Sequence, residues 1–499
     1  MLLRACVLGG AILAATAAVR SQQMSNANFR PEIPKTWDTA AVASMSIPLA
    51  PPAPRVTEFS EQYYYSIPAV TIYKSYPLVS ADKPFPEYLN WLKQQEPEIA
   101  FDASKLKTKT DWEEAGELVF AFALGGYGPI PQLYLDAAAD PARGAALATT
   151  RVFIREKGKL ERNIGGGPLG SVRSCASCHS QAAANGGRRD GVQLSGGSIY
   201  PSPGIGTRSA TAEERRQSML FWYGTPWFNP DPNVDVNLTS AIVRPWNAAP
   251  AADDREGTSL RSPVQIPVLI GLKDRKYFDH TGLHLHRSIG DLMRYAVLAS
   301  GLDVLQGYGD FIPGGRNDHK DLPPPSERLR FTDEQLYALA LYIYSLDYPA
   351  NPNRPDSVSA NGEKIFNREG CAGCHTPPLY TNNKLIPVDG FVVPPEDRKK
   401  YDILDVRIGL DPYLAMKTRR GTGYYKVPSL RGVWMRSALE HNASVASLED
   451  WFDPNRLKEA YVPTGFRGQD PTRAVKGHPF GLQLSPDDKK ALIAYLRTL

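Results

Sequence analysis

Cysteine is scarce in this chain, with five in 499 residues. That excludes a disulfide-stapled scaffold, the usual resort of small secreted domains. Charge of either sign is barely in excess: 57 Lys and Arg stand against 53 Asp and Glu, a net of +4. So even a balance at this length leaves no electrostatic footprint for nucleic acid or an anionic membrane surface. Long apolar runs are missing too. The stretch from Ala5 to Val19 is shorter than the roughly 20 residues that span a bilayer. It follows Arg4 and precedes small residues, so residues 1–21 read as a secretory signal, with cleavage after Ala17, Ala18 or Ser21. Cys6 leaves with it. An exported, periplasmic protein with no transmembrane span in the mature chain is expected.

The four remaining cysteines stand in two pentapeptides, Cys175-Ala176-Ser177-Cys178-His179 and Cys371-Ala372-Gly373-Cys374-His375. Cys-x-x-Cys-His is the attachment sequence of c-type haem. Two thiols three positions apart reach the two vinyl groups along one porphyrin edge, and the histidine that follows is held under the ring to offer its imidazole to the iron. A zinc ribbon brings its two Cys-x-x-Cys knuckles within about 20 residues of each other, whereas these lie almost two hundred apart. A thiol–disulfide pair needs no histidine after its second cysteine. Two covalently bound haems c are expected, on Cys175 and Cys178 and on Cys371 and Cys374, with His179 and His375 as proximal iron ligands.

The rest of the composition is that of a globular protein: 42% hydrophobic and 22% charged, with proline (43) and glycine (41) in moderate excess. This length fits two to four domains. Residues 22–105 form a proline-rich N-terminal extension in which Val70-Thr71-Ile72-Tyr73 has strand composition and 86–95 a short helical stripe. Beyond it four landmarks occur twice in the same order. Gly116-Glu117-Leu118-Val119-Phe120 is matched by Gly362-Glu363-Lys364-Ile365-Phe366, and the pentapeptides follow. Pro267-Val268-Leu269-Ile270-Gly271 with His280 thirteen residues after its proline is matched by Pro428-Ser429-Leu430-Arg431-Gly432 with His441 at the same distance. Each half ends in a helix that opens on a Ser/Thr cap followed by acids, Thr332 to Leu346 and Ser485 to Leu499. The pattern is that of a duplicated unit: haem domain 1 over 106–346, a linker over 347–358 and haem domain 2 over 359–499. The first copy carries two long insertions, Ala121–Ser174 and Gln181–Ser262, the second holding Trp222, Tyr223, Trp227 and Trp246. The expected fold is mainly α: two cytochrome c-like haem domains with long loop insertions and an N-terminal extension.

The sixth iron position separates electron transfer from catalysis, because an iron held by two strong protein ligands does not readily take a small oxidant. For the second haem the candidates are His441, His478, Met416 and Met435, with His441 favoured by its place after the Pro-x-Leu-x-Gly strip. For the first haem the repeat points to His280, as ligand or as distal-pocket residue, with His284 and His286 as competitors. His319 lies in a glycine- and charge-rich loop and reads as solvent-exposed.

These motifs resemble the di-haem cytochrome c peroxidase superfamily, whose pattern joins two Cys-x-x-Cys-His units to a Pro-Thr-Leu-Arg-Asn strip, a His-Asp-Gly-Ser segment and a closing helix. Pro428–Gly432, His441-Asn442-Ala443-Ser444 and Ser447-Leu448-Glu449 follow it here. The resemblance covers roughly residues 106–499. It implies that hydrogen peroxide is reduced at the N-terminal haem, that the C-terminal haem exchanges electrons with a small donor or acceptor protein, and that a calcium ion can sit between the domains. The family usually ligates its C-terminal iron with a methionine beyond the His-Asp-Gly segment, and no methionine follows Asn442 here; that favours a bis-histidine second haem through His441. The wide spacing of the pentapeptides and the His-Asn-x-Ser form are similar to the rubber oxygenases, haem dioxygenases in which the Trp-rich insertion would be a substrate pocket. A carrier with both irons six-coordinate is the non-enzymatic alternative.

Overall fold

The computed structural model describes residues 28–43, 61–69, 71–74, 98–121, 175, 267–300, 330–417, 422–436, 438–465 and 471–499, together with two short strand pairs within 124–129 and 154–161. Among these residues helix dominates and strands are short, two-stranded pairs. Five longer helices build the frame: α1 (Lys109–Ala121), α2 (Ile289–Ser300), α3 (Asp333–Ser345), α4 (Ser357–Arg368) and α5 (Pro486–Arg497). No described helix is long and apolar enough to cross a membrane.

The helix starts follow from local chemistry. Thr332 caps α3 with a reciprocal pair: its hydroxyl accepts from the Gln335 amide at 3.1 Å, and the Gln335 side chain accepts from the Thr332 amide at 2.8 Å. Ser485 caps α5 by accepting from the Asp488 amide at 3.2 Å, with Pro486 in the first turn, where its missing N–H costs nothing. Acids follow both caps, Asp333 and Glu334 in one helix and Asp487 and Asp488 in the other, where they meet the positive end of the helix dipole.

α1 lies against α3, and α4 against α5, in the same way. At Gly116 an added Cβ would run into the carbonyl of Ala338 and the side chain of Tyr342; at Gly362 it would run into the carbonyl of Ala491 and the side chain of Tyr495. Only glycine lets the two backbones come so close. One turn on, Phe120 meets the Tyr342 ring at 5.2 Å and Phe366 meets the Tyr495 ring at 5.4 Å. The two Pro-to-Gly strips also end alike. Gly271 (φ 71°) and Gly432 (φ 70°) each open a single-turn 3₁₀ helix, Leu272–Asp274 and Val433–Met435. His280 and His441 then lie in loops closed by isolated bridges, Tyr277 to Leu285 and Leu439 to Val445.

The N-terminal extension is built into the first core. Trp37, Tyr64 and Ile67 are buried with Trp112, Phe120 and Leu336. The amide of Thr36 and the hydroxyl of Tyr65 donate to Asp333 at the start of α3, and Arg294 of α2 donates to the carbonyls of Lys35 and Thr36. The strand composition near residue 70 becomes Ile72–Lys74, paired antiparallel with Glu98–Ala100. The helical stripe at 86–95 lies outside the described residues.

Candidate haem centres

The second pentapeptide folds as a 3₁₀ turn, Cys371–Gly373, entered through Gly370 in the left-handed region. The carbonyl of Cys371 accepts from the amides of Cys374 (3.2 Å) and His375 (2.8 Å). That helical turn stacks positions i, i+3 and i+4, so Cys371, Cys374 and His375 share one side of it. Both thiols are free and half-buried. Burial, and then the charge of Glu369, pushes the Cys371 thiol up to about 11, and burial raises Cys374 as well.

The His375 ring is oriented from behind. Its Nδ1 lies 3.1 Å from the carbonyl oxygens of both Tyr380 and Pro428. Burial holds its pKa below the ordinary histidine range, so the ring is neutral, with Nδ1–H donating to the carbonyls and the Nε2 lone pair available. A metal-ligating histidine is commonly fixed in this way. The Pro-x-Leu-x-Gly strip thus has a function that its sequence did not reveal: the Pro428 carbonyl sets the tautomer of His375. The donor set and this tautomer fit a haem c.

The ring that faces His375 is His478, with ring centroids 6.4 Å apart and planes at 59°. Its Nδ1 is buried and has no hydrogen-bond partner on another residue. Burial, then the neighbouring His375 and Arg456, lowers the His478 pKa to about 3. Arg456, wholly buried, fixes this segment by donating to the carbonyls of Trp451 (2.8 Å), Val475 (2.9 Å) and His478 (2.7 Å). Its guanidinium also lies 4.1 Å from the Trp451 ring centroid. Gly477 precedes the histidine at φ 148°, and a Cβ there would stand 2.8 Å from the Trp451 ring.

His441 is placed differently. It is buried, with Nδ1 3.3 Å from Glu440 Oε2 and Nε2 3.8 Å from Asp411 Oδ2, and its ring lies beside Tyr425 at 5.5 Å. Met435 is packed with Val268 and Ile270, and Met416 is 43% exposed.

Of the first pentapeptide, Cys175 packs half-buried against the first core. Cys178, His179, His319 and both insertions with their tryptophans lie outside the described residues, the strand pairs at 124–129 and 154–161 apart. The His280 loop docks on the antiparallel strand pair Leu385–Pro387/Tyr424–Lys426 of the second half. The His280 carbonyl accepts from the Lys426 amide (3.1 Å), the Thr281 carbonyl from the Thr422 hydroxyl (2.6 Å), and the Tyr277 and Phe278 carbonyls from the Lys426 ammonium (3.1 and 3.0 Å). His284 Nδ1 sits 3.2 Å from Asp279, both buried. His286 uses both nitrogens in the framework, Nδ1 on the Arg275 carbonyl at 2.6 Å and Nε2 on the Tyr344 hydroxyl. Among the described residues no three His, Cys, Asp or Glu side chains are gathered for a metal ion, so the expected calcium ion has no assigned ligands there.

No protein-family model and no curated protein matches the chain. Several solved structures are similar to it in part. Hydrazine synthase of Kuenenia stuttgartiensis shares 16% identity at a TM-score of 0.29, over 59% of this chain and 90% of the other. A MauG-like protein associated with microbial copper homeostasis gives the same four figures. A variant of the diheme peroxidase BthA from Burkholderia thailandensis shares 16% identity at 0.24, over 66% and 81%. At such scores these likenesses add no step to the reading of the residues.

Proposed function

We propose that the chain is an exported, periplasmic di-haem c-type cytochrome with redox function. Haem 1 is carried by Cys175, Cys178 and His179 in domain 1 (106–346), and haem 2 by Cys371, Cys374 and His375 in domain 2 (359–499). Residues 22–105 serve as an extension of the first domain, and 347–358 as the linker. The observation that carries this reading is the neutral His375 ring, anchored by two backbone carbonyls on the turn that presents Cys371 and Cys374. Haem at these positions supplies one-electron chemistry. The chain's own residues hold the imidazole in one tautomer, and Leu430, Tyr380 and Trp451 pack against the same core as Cys371. In this reading haem 2 exchanges electrons with a small donor or acceptor protein, and hydrogen peroxide is reduced at haem 1, with His280 as the distal candidate.

The test begins with the full chain made in a host that matures c-type cytochromes. A pyridine haemochrome assay and intact mass should give two covalent haems per chain in the exported fraction; one or none rejects the di-haem reading. Peroxide should then reoxidise the reduced protein at a rate that a His280→Ala substitution changes. A protein inert to peroxide is an electron carrier instead.

A further inference from the structure

We infer that His478 is the sixth ligand of haem 2, making that centre bis-histidine and closing it to small oxidants. The inference rests on the covalent haem at Cys371 and Cys374 proposed above, and goes beyond it by naming the residue on the far face of the iron.

The geometry carries the assignment. An imidazole nitrogen sits about 2 Å from a metal and about 1 Å from its own ring centroid, so two imidazoles on opposite faces of one iron hold their centroids about 6 Å apart. The His375 and His478 rings are 6.4 Å apart. That is too far for a hydrogen bond between the rings and the right span for one iron between them.

The other candidates are committed elsewhere. His441 has carboxylates near both nitrogens, and Met435 lies in an apolar cluster with Val268 and Ile270. Met416 lies partly exposed on the Pro412–Lys417 helix. Around His478 the surroundings are those of a haem edge. Trp451 packs edge-on at 5.3 Å, and Phe480, 5.4 Å away, leaves 47% of itself uncovered, an apolar surface that a porphyrin would cover. Arg456 and Gly477 are positioning residues: one holds the His478 carbonyl, and the other lets the backbone pass under Trp451.

The test uses the full chain with haem attached, first unsubstituted. Low-temperature EPR and near-infrared magnetic circular dichroism should show one low-spin ferric centre with two nitrogen axial ligands per chain, unchanged by cyanide. A histidine–methionine charge-transfer band, or two high-spin irons, overturns the assignment. His478→Ala should convert one iron to high spin with both haems still attached, and added imidazole should restore the low-spin signal. His478→Met should move that centre to a higher midpoint potential in a spectroelectrochemical titration, while His441→Ala should leave both spectra as they were. An unchanged low-spin signal in His478→Ala, or its loss in His441→Ala, assigns the ligand to another residue. The unsubstituted spectrum decides the case if either variant fails to fold. Absence of haem on the Cys371–Cys374 peptide by mass spectrometry is a separate result, and removes the underlying reading instead.

Discussion

After Ser288 the chain runs into α2, twelve residues long; after Ser447, at the corresponding point of the second half, helix lasts only from Leu448 to Trp451. In α2 the buried residues Leu292, Met293 and Val297 keep the helical spacing, so the turn continues under the first core. In the second half Asp453-Pro454 intervenes. The residue before a proline is steered out of helical geometry, and the chain restarts as a 3₁₀ helix, Pro454–Leu457. That break aims Arg456 inward, onto the carbonyls flanking His478. The carboxylates before the two equivalent histidines diverge too. Asp279 is consumed within its loop, accepting from Thr281, Leu283 and His284, whereas Glu440 lies beside His441. The two halves share these features of backbone frame and differ in what the side chains do. The lesson is that positions equal in spacing need not be equal in role.

The comparison breaks first at the shared frame. Gly362→Leu should cost about 4 kcal/mol, because the side chain has only the Ala491 carbonyl to displace. Gly116→Leu should cost as much if the α1/α3 and α4/α5 contacts are the same joint. Denaturant titration of both variants checks this, and a twofold difference between them would end the equivalence.

Next is the feature peculiar to the second half. Arg456→Met strands three carbonyls and should cost about 3 kcal/mol. Hydrogen exchange should speed up around Val475 to His478 while the Lys109–Ala121 helix keeps its protection; uniform loosening would mean that Arg456 is a general stabiliser.

Asp291 sharpens the first half. Burial by itself would raise its carboxyl, but hydrogen bonds from Arg287 and then Arg294 outweigh that and bring it down to about 2. A depressed folded value stabilises above the ordinary carboxylate range, and the contribution fades as pH falls from about 4 through about 2. Asp291→Asn should therefore cost about 2 kcal/mol at neutral pH and flatten the pH dependence of stability in that window. Circular dichroism during acid titration reads it; an equally steep acid loss in the variant would place the responsible carboxylate elsewhere.

The smallest effect concerns the seam between the halves. Lys426→Met removes the ammonium that holds the Tyr277 and Phe278 carbonyls and should cost about 1.5 kcal/mol. Limited proteolysis should then cut faster in the 277–285 loop. No change there would leave the backbone contact of His280 with Lys426 as the sufficient tie.

Much of this was legible in the sequence, and it is the part encoded over short distances. Thr332 and Ser485 announced their helices because a cap, its acids and the first apolar turn lie within five residues. Gly116 and Gly362 stood at matching points because close helix contact admits only glycine. The pentapeptides carried thiols and imidazole on one turn. His441 drew attention by its spacing after Pro428, and the spacing did mark the same backbone loop as His280, but spacing along the chain says nothing about which imidazole faces another. His478 had a weak local signal, a histidine between Gly477 and Pro479 in a short chain segment. Its position opposite His375 depends on a left-side glycine under Trp451 and on an arginine twenty-two residues earlier. The sequence by itself determined which cysteines and histidines share one turn and where the helices begin, since both are settled by neighbours on the chain. Only the tertiary structure decided which histidine stands across from His375, because that pairing is made by residues a hundred positions apart, brought together by a buried guanidinium.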